Sequence, residues 1–354
     1  MNQILKLSVL ISIIFASGCK SDKHMSTDDL KAPSAEKQAK SLTIHNSTRI
    51  DNYFWMRLTD EQKTAKNKDV QTQKVEAYLN SENEYFDKVT ASTNNFQKEL
   101  FEEMKGRIKE DDTSVPYFRN NYFYITRFEK GSQYPIYSRK KESLEVDEEI
   151  LFDVNKEAQE YEYFQLGALN VSPDNKLVAF ATDTVSRRQY TIQIKNLETG
   201  NLLTDIIENT TGGSVWSNDN KTLFYTKKDP LTLRSSSIYR HILGTDASED
   251  EVVFEEKDET YSTYVYKTKS HKFIVIGSSS TLSSEFRIIS ADNPYGDWRV
   301  IQPREDNLEY SLSHYGDYFY IQTNKDDATN FKLMKTPINK TTKENWVDVI
   351  PHRK

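Results

Sequence analysis

From Pro116 onward, short apolar or aromatic runs alternate with polar segments in a fixed rhythm. A first run recurs as Tyr122-Phe-Tyr-Ile-Thr, Leu177-Val-Ala-Phe-Ala, Leu223-Phe-Tyr-Thr, Phe273-Ile-Val-Ile-Gly and Tyr318-Phe-Tyr-Ile-Gln. A second begins at Tyr134, Tyr190, Ser237, Phe286 and Phe331, or 12, 13, 14, 13 and 13 residues later. A closing run begins at Ile150, Leu202, Val252, Val300 and Val347, or 28, 25, 29, 27 and 29 residues after the first. Successive units start 55, 46, 50 and 45 residues apart. The turns Ser172-Pro-Asp-Asn-Lys176 and Ser217-Asn-Asp-Asn-Lys221 match most closely; Asp and Asn close such turns by bonding their own backbone. A fourth strand fits before each turn, as at 163–171 and 309–314. Five units of four short strands at this period predict a β-propeller, because one small sheet cannot bury both faces without stacked neighbours. A β-solenoid needs a shorter period, and a sandwich does not repeat itself.

Upstream the period changes. Val75, Tyr78, Leu79, Tyr85, Phe86 and Val89 recur at helical spacing within 67–89. Phe96, Leu100, Phe101, Met104 and Ile108 do so within 94–108. Thr93 or Asn94 is the expected cap of the second helix, and Gly106 weakens its end. The fold class is therefore mostly β: a helical arm over 41–112, read as packing elements, followed by propeller blades one to five over 113–354.

Residues 1–19 read as a secretory leader: Lys6, an apolar run from Leu7 to Phe15, then Ala16, Ser17 and Gly18. Nine apolar residues are too few to cross a bilayer, which takes about 20. Ala16-Ser17-Gly18-Cys19 resembles a bacterial lipobox, with Ala16 where Leu is usual. The resemblance implies that Cys19 becomes a lipidated N-terminus at the cell envelope. Residues 20–40 are polar and read as a disordered tether.

Composition narrows the chemistry. The chain has 354 residues, with 47 Lys and Arg against 54 Asp and Glu, a formal charge of −7. That balance argues against nucleic acid as a partner. The 21 Tyr and 17 Phe favour strands. Cys19 is the single cysteine, so no disulfide can form within the chain. His24, His45, His241, His271, His314 and His352 are scattered, without the spacing of a metal site. No phosphate-cradling glycine loop or cofactor motif stands out, so no cofactor is expected. Asp111-Asp112 and Glu255-Glu256 read as solvated turn or edge residues. The nearest approach to a G-x-S-x-G nucleophile elbow is Gly212-Gly213-Ser214, but Val215 and Trp216 follow where the second glycine is needed. It reads as a turn between blades, and no catalytic residue is assigned.

Arg49-Ile-Asp-Asn-Tyr-Phe-Trp-Met-Arg57 resembles the opening motif of the prolyl oligopeptidase family, in particular its oligopeptidase B branch. Ser186-Arg-Arg-Gln-Tyr190, Asn196-Leu-Glu-Thr-Gly200, Glu255-Glu-Lys-Asp-Glu-Thr-Tyr261 and Glu309-Tyr-Ser-Leu-Ser-His-Tyr315 resemble its propeller signatures. The resemblance implies a seven-bladed propeller capping an α/β-hydrolase domain, with the helical arm packed on the latter. It also implies cleavage of short peptides, after Arg or Lys in oligopeptidase B, by a domain these residues do not contain. Five of seven blades are read here. The expected function is thus that of anchor and substrate filter, inactive alone, whose partners are short peptides, a membrane and a hydrolase domain or split partner chain. A stand-alone binding module and a pseudo-enzyme regulator are the alternatives. Arg187 and Arg188 are expected to pair with carboxylates, between blades or toward the hydrolase domain, and His314 to be structural.

Overall fold

The computed structural model describes residues 30–353. The leader, the lipidation candidate Cys19 and the first part of the tether lie outside the described residues. Contacts divide the chain into two units, one ending at Lys109 and the other beginning at Glu110.

The first unit contains a hairpin that hydrophobic periodicity does not predict. Strands β1 (Lys40–Ile44) and β2 (Ser47–Asp51) pair antiparallel around His45 and Asn46, at φ 52° and 61°. Two consecutive positive-φ residues give a turn whose twist suits the strands. The end of the expected tether is structured: the Trp55 indole donates to the Glu36 carbonyl at 2.9 Å, and the Gln38 amide to the Asn52 carbonyl at 2.8 Å. The Lys40 ammonium sits 3.6 Å from the Phe54 ring centroid. Polar composition alone does not keep a segment loose when its backbone finds partners.

Helix α1 (Asp60–Thr64) opens with a capping box between Thr59 and Gln62, and α2 (Val70–Thr90) is capped by Asp69. Helix α3 (Asn94–Gly106) is entered through a 3-10 turn already in helical backbone. Thr93 therefore makes no N-terminal cap, and its hydroxyl donates back to the Thr90 carbonyl. The stripes on α2 and α3 do not form a core in this chain. Among α2 residues Thr72 and Val75 are buried, whereas Phe96, Phe101, Met104 and Ile108 are each about 60% or more exposed.

The second unit is five antiparallel four-stranded blades. Blade one is β3 (Tyr117–Arg119), β4 (Tyr122–Arg127), β5 (Ile136–Lys141) and β6 (Glu149–Asp153), followed by a short helix α4 (Val154–Glu157). Blade two is β7 (Gln165–Val171), β8 (Leu177–Asp183), β9 (Tyr190–Asn196) and the first half of β10 (Leu202–Trp216). The second half of β10 opens blade three, with β11 (Thr222–Lys228), β12 (Ser235–Ile242) and β13 (Glu251–Glu255). Blade four is β14 (Ser262–Lys267), β15 (Phe273–Ser279), β16 (Ser284–Ser290) and β17 (Arg299–Val300). Blade five is β18 (Tyr310–Tyr315), β19 (Tyr318–Thr323), β20 (Lys332–Pro337) and β21 (Val347–Ile350).

Strand β10 joins blades two and three into one seven-stranded sheet. It pairs with β9 up to Thr210 and with β11 from Thr210 onward, with register shifts on either side. Gly212 makes the bend possible at φ 87°; a Cβ there would stand 2.8 Å from the Tyr190 ring. Ser214, two residues on, is a paired strand residue opposite Tyr225 and not the tip of a strand-to-helix elbow.

Four apolar clusters fill the joints between successive blades. Phe152 and Phe180 meet between one and two, and Ile192 and Tyr225 between two and three. Phe224 and Ile276 meet between three and four, and Phe286 and Tyr310 between four and five. Each fully buried side chain of this size contributes about 1.5–3 kcal/mol. Central strands of the middle blades, β8, β11 and β15, are buried on both faces. Strand β18 alternates strictly between buried and exposed residues, because blade five is packed on one face alone.

Candidate binding site at the inner edge of the blades

Each blade places a left-handed residue in the turn after its innermost strand: Asn121, Asn175, Asn220, His271 and Gly316, at φ 63°, 66°, 60°, 61° and 60°, joined in blade one by Asn120 at φ 46°. Asn and His accept this conformation better than most side chains, and Gly accepts it freely. In blades two and three the preceding aspartate is occupied by its own turn. Asp174 accepts from the Ser172 hydroxyl and the Lys176 amide, and Asp219 from the Lys221 and Thr222 amides. Blade four departs from this chemistry: its turn reads Thr268-Lys-Ser-His-Lys272, with Ser270 where blades two and three carry aspartate.

Lysines therefore gather without an acid in the blade-four turn. Lys267, at the end of β14, donates to the Trp216 carbonyl at 2.9 Å and to Asn218 Oδ1 at 2.5 Å. Burial, then the Arg119 guanidinium, push its ammonium down to about 8. Burial, Arg119 and Lys267 together hold the His271 imidazole below its ordinary value. Between these groups lies a cavity of about 240 Å³, lined by residues of the innermost strands of blades one to four and walled on its apolar side by Val171, Trp216 and Tyr266. A second cavity, of about 720 Å³, lies between blades four and five and is lined by Lys269, Lys272, Leu312 and His314. Among the described residues no cluster of His, Cys, Asp and Glu is arranged to hold a metal ion.

The residues singled out in the sequence are spread across the propeller. His314 is buried against Phe273 and Phe319, with Nδ1 at 2.8 Å from the Ser270 hydroxyl. Neither Arg187 nor Arg188 forms an ion pair among the described residues, contrary to the pairing expected between blades. Arg188 instead uses its backbone, the amide donating to Asp183 at 2.6 Å and the carbonyl accepting from Lys228. Asp111 and Asp112 are exposed. Glu256 is not solvated as expected: it is buried, accepts from Arg304 at 2.6 Å and from the Ser278 hydroxyl at 2.7 Å, and Arg304 also reaches Glu285. A third buried network joins His241 to Asp205 and Asp250. Sequence reasoning missed Arg119 and Lys267; the signal available was the basic turn 267–272 set against its acidic counterparts.

Residues 33–354 match the family model described as prolyl oligopeptidase, N-terminal beta-propeller domain. Dipeptidyl aminopeptidase BI of Pseudoxanthomonas mexicana is 39% identical over 99% of this chain and 48% of its own length. Protease 2 of Moraxella lacunata is 32% identical over 88% of this chain and 44% of its own. The solved structure of oligopeptidase B from Leishmania major superposes with a TM-score of 0.79 at 28% identity, over 92% of this chain and 47% of that one. The chain thus spans about half the length of the relatives it matches. Its repeating blades, their joints and this match over nearly the whole sequence establish that the chain belongs to the prolyl oligopeptidase family, as an N-terminal β-propeller region with similarity to oligopeptidase B.

Proposed function

We propose that this chain is the anchoring and substrate-filtering front of a serine oligopeptidase, and that it does not cleave peptides by itself. The propeller admits short peptides to a hydrolase domain and turns folded proteins away. Relatives named as a dipeptidyl aminopeptidase and a protease support peptides as the substrate class. The observation that carries the reading is the one-sided packing of blade five. Tyr315, Val347 and Ile350 lie on its uncovered face, exposed by 76%, 55% and 49%, whereas the equivalent faces of blades two to four are buried. The apolar stripe of α3 supports the same reading, since Phe96, Phe101 and Met104 need a covering surface. Cys19, following Ala16-Ser17-Gly18, is proposed to carry the lipid that holds the assembly at the cell envelope.

The test has two arms. Purified chain is assayed against an Arg-ended chromogenic peptide, and no turnover is expected; turnover that titrates with chain concentration contradicts the reading. In bacteria expressing the chain, labelled fatty acid is expected to enter it and to be lost in Cys19→Ser. Equal labelling of both forms contradicts the anchor.

A further inference from the structure

We propose that the cavity bounded by Arg119, Lys267 and His271 is a carboxylate-binding site that takes the C-terminal carboxylate of a short peptide. The proposal rests on the peptide-filtering function above and adds a site to it. The more deeply buried cations of blades one, four and five are matched by acids. Arg139 is paired with Glu149 at 2.8 Å, Arg304 with Glu256 at 2.6 Å, and Lys332 with Asp348 at 3.1 Å. Lys267, half-buried, and Arg119, exposed, both line the cavity, and neither forms an ion pair among the described residues. Lys267 is held by two neutral acceptors, the Trp216 carbonyl and Asn218 Oδ1. An ammonium has three protons to donate, so one remains for a ligand.

The surrounding acids do not fill the gap. Asp219 is bound to the Thr222 hydroxyl and to its own turn, and Asp292 accepts from the Asn218 amide. Ser270 stands where blades two and three place their turn aspartate. Two cations lining one cavity repel each other, and Arg119 adds to the burial that lowers the Lys267 ammonium. A bound anion removes it.

The walls select among anions. Val171, Trp216 and Tyr266 place apolar and aromatic surface beside the charges. Such a wall suits a carboxylate carried on an amino-acid side chain and backbone better than a fully hydrated inorganic ion. About 240 Å³ holds the end of a peptide and not a folded chain.

The test is titration calorimetry of the full chain with one N-acetylated tripeptide, Leu-Ala-Phe, as free acid and as C-terminal amide. The acid is expected to bind at least about tenfold more tightly, the usual effect of a charge-assisted hydrogen bond. Arg119→Gln and Lys267→Met are each expected to abolish the difference. Lys267 also holds the Trp216 carbonyl, so its variant is open to misfolding; Arg119 is exposed, and its variant tests the site on folded protein. Equal binding of acid and amide overturns the site and leaves the filter reading standing. A preference for acid that survives both substitutions places the carboxylate elsewhere and also overturns it. Binding of inorganic phosphate or acetate, but of neither peptide, overturns the peptide assignment and counts against the filter as well.

Discussion

His241 Nε2 lies 3.0 Å from Asp205 Oδ1 across the joint where β10 passes from the second blade to the third. Its other ring nitrogen is 2.7 Å from Asp250 Oδ1, which lies beyond β12, and Asp250 also accepts from the Tyr225 hydroxyl at 2.9 Å. Ionised carboxylates only accept hydrogen bonds, so both imidazole nitrogens must carry protons to satisfy them. Burial alone would lower the affinity of the ring for its second proton. The hydrogen bonds to Asp250 and Asp205 outweigh burial and hold the imidazole above its ordinary value.

The sign of the pH dependence follows. The folded state binds the proton more tightly than the unfolded chain, so the network's stabilisation is complete below the unfolded value near 6.5. It is lost as pH rises through the raised folded value. Urea unfolding midpoints should therefore fall with rising pH above neutrality. His241→Leu leaves two buried carboxylates facing each other, which should lower the midpoint at pH 7 at a cost of about 3–5 kcal/mol.

Arg304 should behave as the opposite case. Burial opposes ionisation of Glu256, but hydrogen bonds from Arg304 and Ser278 overcome it and hold its carboxyl below the usual range. Its stabilisation is present above the unfolded value near 4.5 and is lost as pH falls through the lower folded value. Arg304→Gln removes the partner of Glu256 and also the cation 4.0 Å from the Tyr261 ring. The expected loss is about 3 kcal/mol in urea unfolding at pH 7, shrinking toward acid pH.

Two glycines beside one tyrosine should differ. A Cβ on Gly212 meets the Tyr190 ring at 2.8 Å in a backbone at φ 87°, whereas one on Gly167 meets it at 3.1 Å in ordinary backbone. Gly212→Ala adds left-handed strain to the clash and should cost about 2–4 kcal/mol. Gly167→Ala should cost about half as much or less, since only the ring must shift. Thermal unfolding of the two variants checks the order.

The uncovered face of blade five should tolerate what covered faces do not. Tyr315→Ser and Val347→Ser are expected to change stability by no more than about 0.5 kcal/mol, as exposed substitutions do. Phe319→Ala, on the buried face of the same blade, should cost about 3–5 kcal/mol. Equal losses at the three positions would mean that the outer face is already packed.

The propeller was legible in the sequence because every blade repeats the same local physics. An alternating strand, an Asn- or Asp-rich turn and a second strand are short-range features, and β4, β8, β11, β15 and β19 fall on the predicted runs. The continuity of β10 was not legible, since its crossing depends on Gly212 meeting Tyr190 from another strand. Nor was the burial of Glu256, because its partner Arg304 is 48 residues away. The cationic cavity draws Arg119, Lys267 and His271 from two blades, a closeness that spacing along the chain does not encode.

Complementation tests the central claim most directly. The chain is mixed with the separately expressed part of Moraxella Protease 2 that it does not cover, and hydrolysis of an Arg-ended chromogenic peptide is followed. The account predicts that neither part is active alone at a comparable rate, and that the mixture gains activity saturating near equal amounts. Folding of both parts without association, or association without any gain in turnover, would contradict it.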